Sequence, residues 1–353
     1  MVPAFRRMVC LFLVTAAACR GGDTNDEAAI DLPSPGVPAD GGPSSAGAGS
    51  PDSGVTGDGG DAPAGCVPVK KATFRSTVAV ALGCDASAPA QIIDQPLPLE
   101  ASAPNSRVLG RARFRVRHVA TNVIHFWNLR VLVGDGATSF GLGDDVCPGA
   151  NQVRGNLGLG TASATASRAK LVGHSGAAPC TPGALVVDAG ATLDVWVEDA
   201  RPECAGKDIA YGSHYLANGF SDTYAWKTSM EAMPGVAAKL EANGGEKVRV
   251  LGVVEGSPTP NPNPTCGAEA ATLVMQTALD GAIVATKQDV VPASQGMGHL
   301  VLSTTPGESD TDEVRSVNAG AHEAKLLVGS NFVGNVTTGG CCGDGAIALV
   351  RER

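Results

Sequence analysis

Apolar and polar residues alternate in many short segments between residues 72 and 351. The segments end at glycine, proline or asparagine, which is the pattern of half-buried β-strands joined by turns. One helical segment is predicted at 229–243, and segments 107–118 and 123–133 are predicted to pair as a hairpin around Ala120-Thr121-Asn122. The predicted strands are 72–82, 107–118, 123–133, 184–187, 192–198, 247–254, 271–277, 282–286, 299–304, 314–317, 325–328 and 346–351.

Short strands with regular turns predict an all-β fold of the β-sandwich or jelly-roll type. Two segments break the strand pattern. Residues 21–65 contain eight acidic and no basic side chains, and they are too poor in large apolar residues to offset their ordering entropy. Four prolines between positions 258 and 264 favour a stiff linker over 256–265. The expected organisation is a tether at 19–65, a larger β-domain at 66–255 and a smaller one at 266–353.

The N-terminus has the parts of an export signal. Arg6 and Arg7 precede an apolar run from Met8 to Ala18, which is too short to span a membrane, and Cys19 follows three alanines. Residues 1–19 resemble a bacterial lipoprotein signal, cut before the cysteine. The resemblance implies a signal peptide at 1–18, a lipid-modified Cys19 and an exported protein held in a membrane. Because Arg20 rather than aspartate follows, it implies the outer membrane, with a periplasmic or surface-facing head.

The charge of the chain argues against nucleic acid as a partner. The formal net charge is −9, whereas nucleic-acid binding requires a basic footprint. Charged residues make up 17% and aromatic residues 4% of the chain, so local clusters of either kind become informative.

The cysteines predict a disulfide framework, because an even number in an exported chain is typical of disulfides. We expect Cys66–Cys84 and Cys147–Cys180 bonds. The sequence contains no CxxC spacing, which a metal site of cysteines would favour. Five cysteines precede the predicted linker and three follow it, so complete pairing requires a bridge between the two parts. The candidates are Cys66, Cys84, Cys147, Cys180, Cys204, Cys266, Cys341 and Cys342.

Four arginines alternate along segment 107–118 and therefore share one face of the strand: Arg111, Arg113, Arg115 and Arg117. This stripe is either an anion-binding surface for polysaccharide or lipid phosphate, or a solvated face paired with neighbouring carboxylates such as Asp194 and Glu198. His118 and His125 are expected on the apolar face of the hairpin as structural histidines, because no third metal ligand is close in sequence.

A second cluster gathers all three tyrosines and one of the three tryptophans between residues 211 and 226. Flat rings beside polar groups suit stacking on a sugar or peptide, and a small core beneath a long loop is the alternative. The candidate residues are Tyr211, His214, Tyr215, Asn218, Asp222, Tyr224 and Trp226.

Two further motifs have a chemical and a structural interpretation. Gly173-His174-Ser175-Gly176 approaches a hydrolase nucleophile elbow, but Ala177 and the prolines that follow cannot open the helix that the elbow requires. Four carboxylates within 308–313 provide a calcium site or a solvated acidic turn. We therefore expect no catalytic residues and no cofactor other than a possible calcium ion.

The function expected from these observations is non-catalytic binding or adhesion at the cell envelope, with a glycan or an envelope protein as the ligand. The alternatives are a structural or docking subunit of an envelope complex, and a hydrolase of envelope polymers. An enzyme would require convergent acid and base groups in a pocket.

Overall fold

The protein is nearly all β. A computed structural model describes residues 66, 69–97, 106–120, 124–134, 141–162, 167–176, 180–199, 201, 203–218, 223–259, 269–292, 300–304, 314–331, 335–339 and 344–352. Within these ranges the chain forms three antiparallel sheets and one short helix, α1 (His214–Asn218). The all-β prediction is confirmed.

The first sheet is built around the strand that carries the arginines. This strand, β4, pairs with β7 along one edge and with β9 and β10 along the other, and β1 lies outside β10. The strands are β1 (Lys70–Arg75), β2 (Val80–Ala81), β4 (Ser106–His118), β7 (Asn151–Ala162), β9 (Leu185–Val187) and β10 (Thr192–Val197).

The second sheet covers the apolar face of the first. Its order is β3-β8-β5-β6, and its strands are β3 (Ala90–Pro96), β5 (His125–Gly134), β6 (Leu142–Val146) and β8 (Arg168–Gly176).

Phe114 and Trp127 meet edge to face at 5.3 Å in the core that the first and second sheets share. Gly110 is required there, because a Cβ atom would lie 2.7 Å from the side chain of Val131. Full burial of each large apolar side chain contributes roughly 1.5–3 kcal/mol.

The predicted hairpin between segments 107–118 and 123–133 is wrong. β4 and β5 lie in different sheets, and the chain crosses between them instead of turning back along one sheet. Alternation showed correctly that both strands have one buried face. It did not reveal that these faces meet across a sandwich, because period two is the same for paired and for stacked strands.

The third sheet takes its strands from both sides of the predicted linker, in the order β11-β19-β13-β17-β14-β15. In addition, β16 and β18 pair with β13, and β12 pairs with β18. They are β11 (Ile209–Ser213), β12 (Thr223–Ala225), β13 (Glu231–Thr259), β14 (Glu269–Leu279), β15 (Ala282–Pro292), β16 (Leu300–Ser303), β17 (Val314–Ser330), β18 (Asn335–Gly339) and β19 (Gly345–Glu352).

The long strand β13 differs from two sequence predictions. The helix predicted at 229–243 is wrong, because the buried residues Val236, Ala238, Leu240 and Ala242 alternate at period two. Residues 256–259 of the predicted linker continue β13 and pair with neighbouring strands. Residues 256–259 are therefore part of the third sheet.

The third sheet also packs on the other two. Leu251, Val253, Val301 and Ala348 belong to the same apolar cluster as Trp127 of the second sheet. The rest of the third sheet encloses a separate apolar cluster around Trp226 and Leu326. The main break between cores therefore runs through the third sheet and not along the proline-rich segment.

The disulfides differ from the predicted pairs. Cys66 bonds to Cys204 and Cys84 bonds to Cys180, and Cys147 is disulfide-bonded as well. The reason is strand pairing: β1 runs beside β10, so the residue that precedes β1 meets the loop that follows β10. The other three candidates, Cys266, Cys341 and Cys342, lie outside the described residues.

Disulfides persist in oxidising compartments, so the protein belongs outside the cytoplasm. Over the stretches that the structure describes, no helix has the length and hydropathy needed to cross a membrane. Cys19 and the 19–65 tether also lie outside the described residues, so lipidation stays a prediction.

Candidate functional site

The aromatic segment does not form one surface. Trp226 is buried in the core of the third sheet, where its Nε1–H donates to Thr338 Oγ1 at 2.8 Å. Tyr224, on β12, is half-buried against the same core. Tyr211, on β11, packs against the other apolar cluster, and burial raises the pKa of its phenol. These three rings therefore belong to two different cores, whereas the structural alternative expected one small core beneath a long loop, and Asp222 lies outside the described residues.

The remaining candidates of this segment form the short helix α1. His214 is buried, and its Nδ1 lies 2.9 Å from Asn218 Nδ2. The backbone N–H of Tyr215 donates to Asp344 Oδ1 at 2.9 Å, and burial raises the pKa of Asp344. Tyr215 and Leu216 are large apolar side chains that this turn exposes, with 44% and 65% of their surface accessible. These contacts hold the turn on the third sheet and leave one exposed ring.

The motif that approaches a nucleophile elbow lies within strand β8. Ser175 is fully buried, and its hydroxyl donates to the backbone carbonyl of Phe126 at 3.2 Å. His174 Nδ1 lies 3.2 Å from the carbonyl oxygen of Ser175. A serine whose proton is held by a carbonyl, in a strand, does not have the turn geometry of the elbow.

The two histidines of the first sandwich lie close together across the sheets, with ring centroids 5.0 Å apart. Both are buried, and burial beside His118 lowers the pKa of His125. A set of metal-ligand types occurs at Cys66, Asp199 and Cys204, but both thiols are consumed by their disulfide. The acidic run 308–313 lies outside the described residues.

A buried ionic network, which sequence reasoning missed, joins the sheets. Arg154 of β7 donates to Asp144 Oδ2 at 2.6 Å and contacts Asp289 of β15 at 2.9 Å. Burial raises the pKa of Asp144 to about 6, although Arg154 opposes the shift. Glu255 of β13 accepts the N–H of Gly143 at 2.8 Å. The feature of the sequence that could have indicated this network is a carboxylate within an otherwise apolar strand. The role of the network is to hold the sheets together.

The arginine stripe begins inside the protein. Arg111 is 5% exposed and its Nη2 lies 2.5 Å from Asp194 Oδ2, the carboxylate directly opposite on β10. Thr73 of β1 donates to the other oxygen at 2.6 Å. Burial raises the pKa of Asp194, and Arg111 and Thr73 overcome this effect, so that the net shift is downward. Arg111 is therefore a structural ion pair. Glu198, the other suggested partner, pairs with Arg107 at 3.5 Å.

The other three arginines of the stripe lie at the surface. Arg113 is half-buried, and Arg115 and Arg117 are exposed. Arg117 pairs with Asp188 at 3.1 Å. Arg113 and Arg115 make no ion pair or side-chain hydrogen bond with any residue that the structure describes. Two guanidinium groups are therefore available to an external anion.

These two arginines line an open cleft of about 310 Å³ on the first sheet. Val153, which is 44% exposed, provides an apolar side, and the turn Asp188–Ala191 forms the opposite wall. Gly190 in this turn has a φ of +92°, a conformation that L-residues with a side chain rarely adopt. The cleft combines apolar contact with two donor groups, which is the usual arrangement of a ligand site.

Strand β1 adds basic residues that sequence reasoning did not assign to this face. Lys71 and Arg75 are exposed, and Arg75 lies opposite Thr192, which in turn lies opposite Arg113. Lys71 Nζ lies 5.4 Å from the ring centroid of Trp196. The alternation of Lys71, Thr73 and Arg75 was visible in the sequence, but its place beside β10 was not. We call the outward side of β1, β10 and β4 the basic face.

Comparisons with known proteins find neither a matching family model nor a matching curated protein. Among solved structures, peptide-N(4)-(N-acetyl-β-D-glucosaminyl) asparagine amidase (PNGase F) from Flavobacterium meningosepticum aligns with a TM-score of 0.34 at 7% identity, covering 80% of this chain and 96% of that one.

A structure of PNGF-II aligns with a TM-score of 0.27 at 8% identity, covering 81% of this chain and 66% of that one, just under two thirds of its length. The tandem CBM51 modules of a Streptococcus pneumoniae family 98 glycoside hydrolase align with a TM-score of 0.20 at 11% identity, covering 80% and 100%. At such TM-scores these likenesses carry no argument about function.

Proposed function

We propose that this protein is an exported, membrane-anchored binding protein that holds an acidic glycan of the cell envelope on the basic face. The observation that supports this proposal is the pair Arg113 and Arg115, which line the cleft without a carboxylate partner in the described part of the chain. Guanidinium groups bind carboxylate and sulfate oxygens in a planar, bidentate manner, so they suit an acidic sugar.

Positive charge is not general in this protein, and this makes the basic face distinctive. The formal net charge is −9, and residues 66–353 by themselves hold 27 acidic and 23 basic side chains, so the head as a whole does not attract an acidic glycan. A polyanion is therefore directed to the region where arginines on β4 and β1 concentrate positive potential.

The lining of the cleft favours binding over catalysis. Asp188 is the carboxylate among its lining residues, and it pairs with Arg117 at 3.1 Å. Acid–base hydrolysis of a glycosidic bond commonly requires two carboxyl groups that flank the bond. The described cleft supplies donors and an apolar wall, which hold a ligand without cleaving it.

The test is binding of the purified head, residues 66–353, to an acidic polysaccharide. We expect polygalacturonate to bind wild-type protein and a neutral glucan not to bind. The double variant Arg113→Ala/Arg115→Ala should lose binding by about 4- to 25-fold, since it removes both donors that lack a partner among the described residues. The matched control is Arg130→Ala/Lys227→Ala, which removes the same charge from two exposed positions outside the basic face.

Two results would contradict the proposal. Equal loss in both double variants would mean that net charge alone drives the binding. Binding to vesicles of anionic phospholipid, with none to polygalacturonate, would replace the glycan by a lipid headgroup as the ligand.

The anchor is tested separately. The lipoprotein resemblance implies that mature protein begins at Cys19 and carries acyl chains, so mass spectrometry of the N-terminus should detect them. Since two or more chains bind a membrane stably, Cys19→Ser should release the protein into the soluble fraction. An unmodified mature N-terminus at another residue would refute lipidation and leave the basic face unaffected.

A further inference from the structure

We infer that the ligand of the basic face is a linear polyanion that contacts Arg115, Arg113 and Arg75 together, and that the site crosses three strands instead of following one. This inference rests on the proposed function, because it specifies the ligand of the same site. The inference specifies how many negative charges a ligand needs in order to bind this site tightly.

The three arginines form a bent row on one face. Arg115 and Arg113 are two residues apart on β4, which separates their Cα atoms by about 7 Å. Arg75 on β1 faces Thr192 of β10, and Thr192 faces Arg113 of β4. Since neighbouring strands lie about 4.8 Å apart, Arg75 and Arg113 are about 10 Å apart across the sheet.

Internal pairs hold the cations that flank the row. Arg117, two residues after Arg115 on β4, is bound by Asp188. Arg111, two residues before Arg113, is held by Asp194, and Lys71 lies against Trp196. Arg75, Arg113 and Arg115 themselves have no ion pair with the described residues. The row therefore offers three charges at a spacing set by the sheet.

The strength of single contacts argues against a monovalent ligand. An ion pair at an exposed position strengthens binding by about 1.4- to 5-fold. The Cα atoms of these arginines are about 7 and 10 Å apart, and a bidentate contact with one guanidinium group occupies both oxygens of a carboxylate, so a monoanion gains from one such contact. A chain with repeated charges engages all three, and the contributions multiply because they are linked.

The experiment compares a monomer, a trimer and a hexamer of galacturonic acid, using calorimetry on the purified head at low and physiological salt. We expect the hexamer to bind at least about tenfold more tightly than the monomer. Arg75→Ala, Arg113→Ala and Arg115→Ala should each weaken hexamer binding by about two- to fivefold, with a reduced dependence on salt. Arg130→Ala on the second sheet is the control and should leave the affinity unchanged.

The outcomes separate the inference from the function beneath it. A monomer that binds as tightly as the hexamer overturns the polyanion inference and leaves the proposed function standing. A hexamer unaffected by Arg75→Ala overturns the three-strand site, even if the β4 variants are impaired. Failure of every uronate to bind refutes the proposed function itself.

Discussion

The two halves of β4 carry the same side chain at the same spacing, but they place it in different physical surroundings. Arg111 is buried and held by Asp194 and Thr73, whereas Arg113 and Arg115 border an open cleft. The difference comes from the neighbours: β10 supplies a carboxylate opposite Arg111 and a threonine opposite Arg113. A stripe of arginines therefore serves stability at one end and offers a binding surface at the other.

The largest expected effect is at the buried end. Asp194→Ala leaves Arg111 charged, buried and without its carboxylate, which costs about 3–5 kcal/mol of unfolding free energy. Urea denaturation followed by circular dichroism measures this loss. A loss below about 1 kcal/mol would mean that the two halves of β4 do not differ as described. Asp194→Leu/Arg111→Met is the companion variant and should be more stable than Asp194→Ala, because it leaves no unpaired charge.

The second prediction concerns acid. The pKa of Asp194 is lowered in the folded protein, so the unfolded chain binds its proton more readily. The stability that this carboxylate contributes is fully present above its ordinary pKa of about 3.9, and it is lost as the pH falls below that value. The difference in unfolding free energy between wild type and Asp194→Asn should therefore shrink below about pH 4. A constant difference down to pH 2 would contradict the charge pair.

The third prediction concerns the exposed pair that closes the stripe. Asp188→Ala removes the partner of Arg117, and both groups are in contact with solvent. Exposed ion pairs contribute about 0–1 kcal/mol, so the midpoint of urea unfolding should move little. The same variant frees a fourth arginine beside the cleft and should strengthen hexagalacturonate binding. Weaker binding would show that Asp188 itself contacts the glycan.

The smallest effect on stability is expected at the open end. Arg113→Ala and Arg115→Ala should each change the unfolding free energy by no more than about 0.5 kcal/mol, because neither side chain has a partner among the described residues. Both variants should nevertheless lose affinity for the ligand. Destabilisation by more than about 1 kcal/mol would assign these arginines a structural role and remove the contrast with Arg111.

Some of this contrast could be predicted from the sequence. Alternation placed all four arginines on one face, and it identified Asp194 as a possible partner on another strand. It could not assign Asp194 to Arg111 in particular, since register depends on pairing between residues that are far apart in sequence. For the same reason Arg75 could not be recognised as part of the basic face.

The errors had a common cause. The hairpin of β4 and β5 and the Cys66–Cys84 and Cys147–Cys180 bonds were inferred from proximity along the chain. In this fold the deciding contacts are long-range: β4 pairs with β7, and Cys66 bonds to a residue 138 positions away. The aromatic segment misled for a different reason, because composition reveals a cluster but not the two cores that divide it.

The Cys66–Cys204 bond has a mechanical consequence. Strand β1 is an edge strand, and an edge strand pulled from one end separates from its neighbour one hydrogen bond at a time. Cys66 lies just before β1, so a force applied through the preceding chain passes through the disulfide to the loop after β10. Because the disulfide carries this force, the hydrogen bonds between β1 and β10 do not have to carry it. A pull applied through the residues that precede Cys66 is therefore borne by a covalent bond and not by the hydrogen bonds of β1.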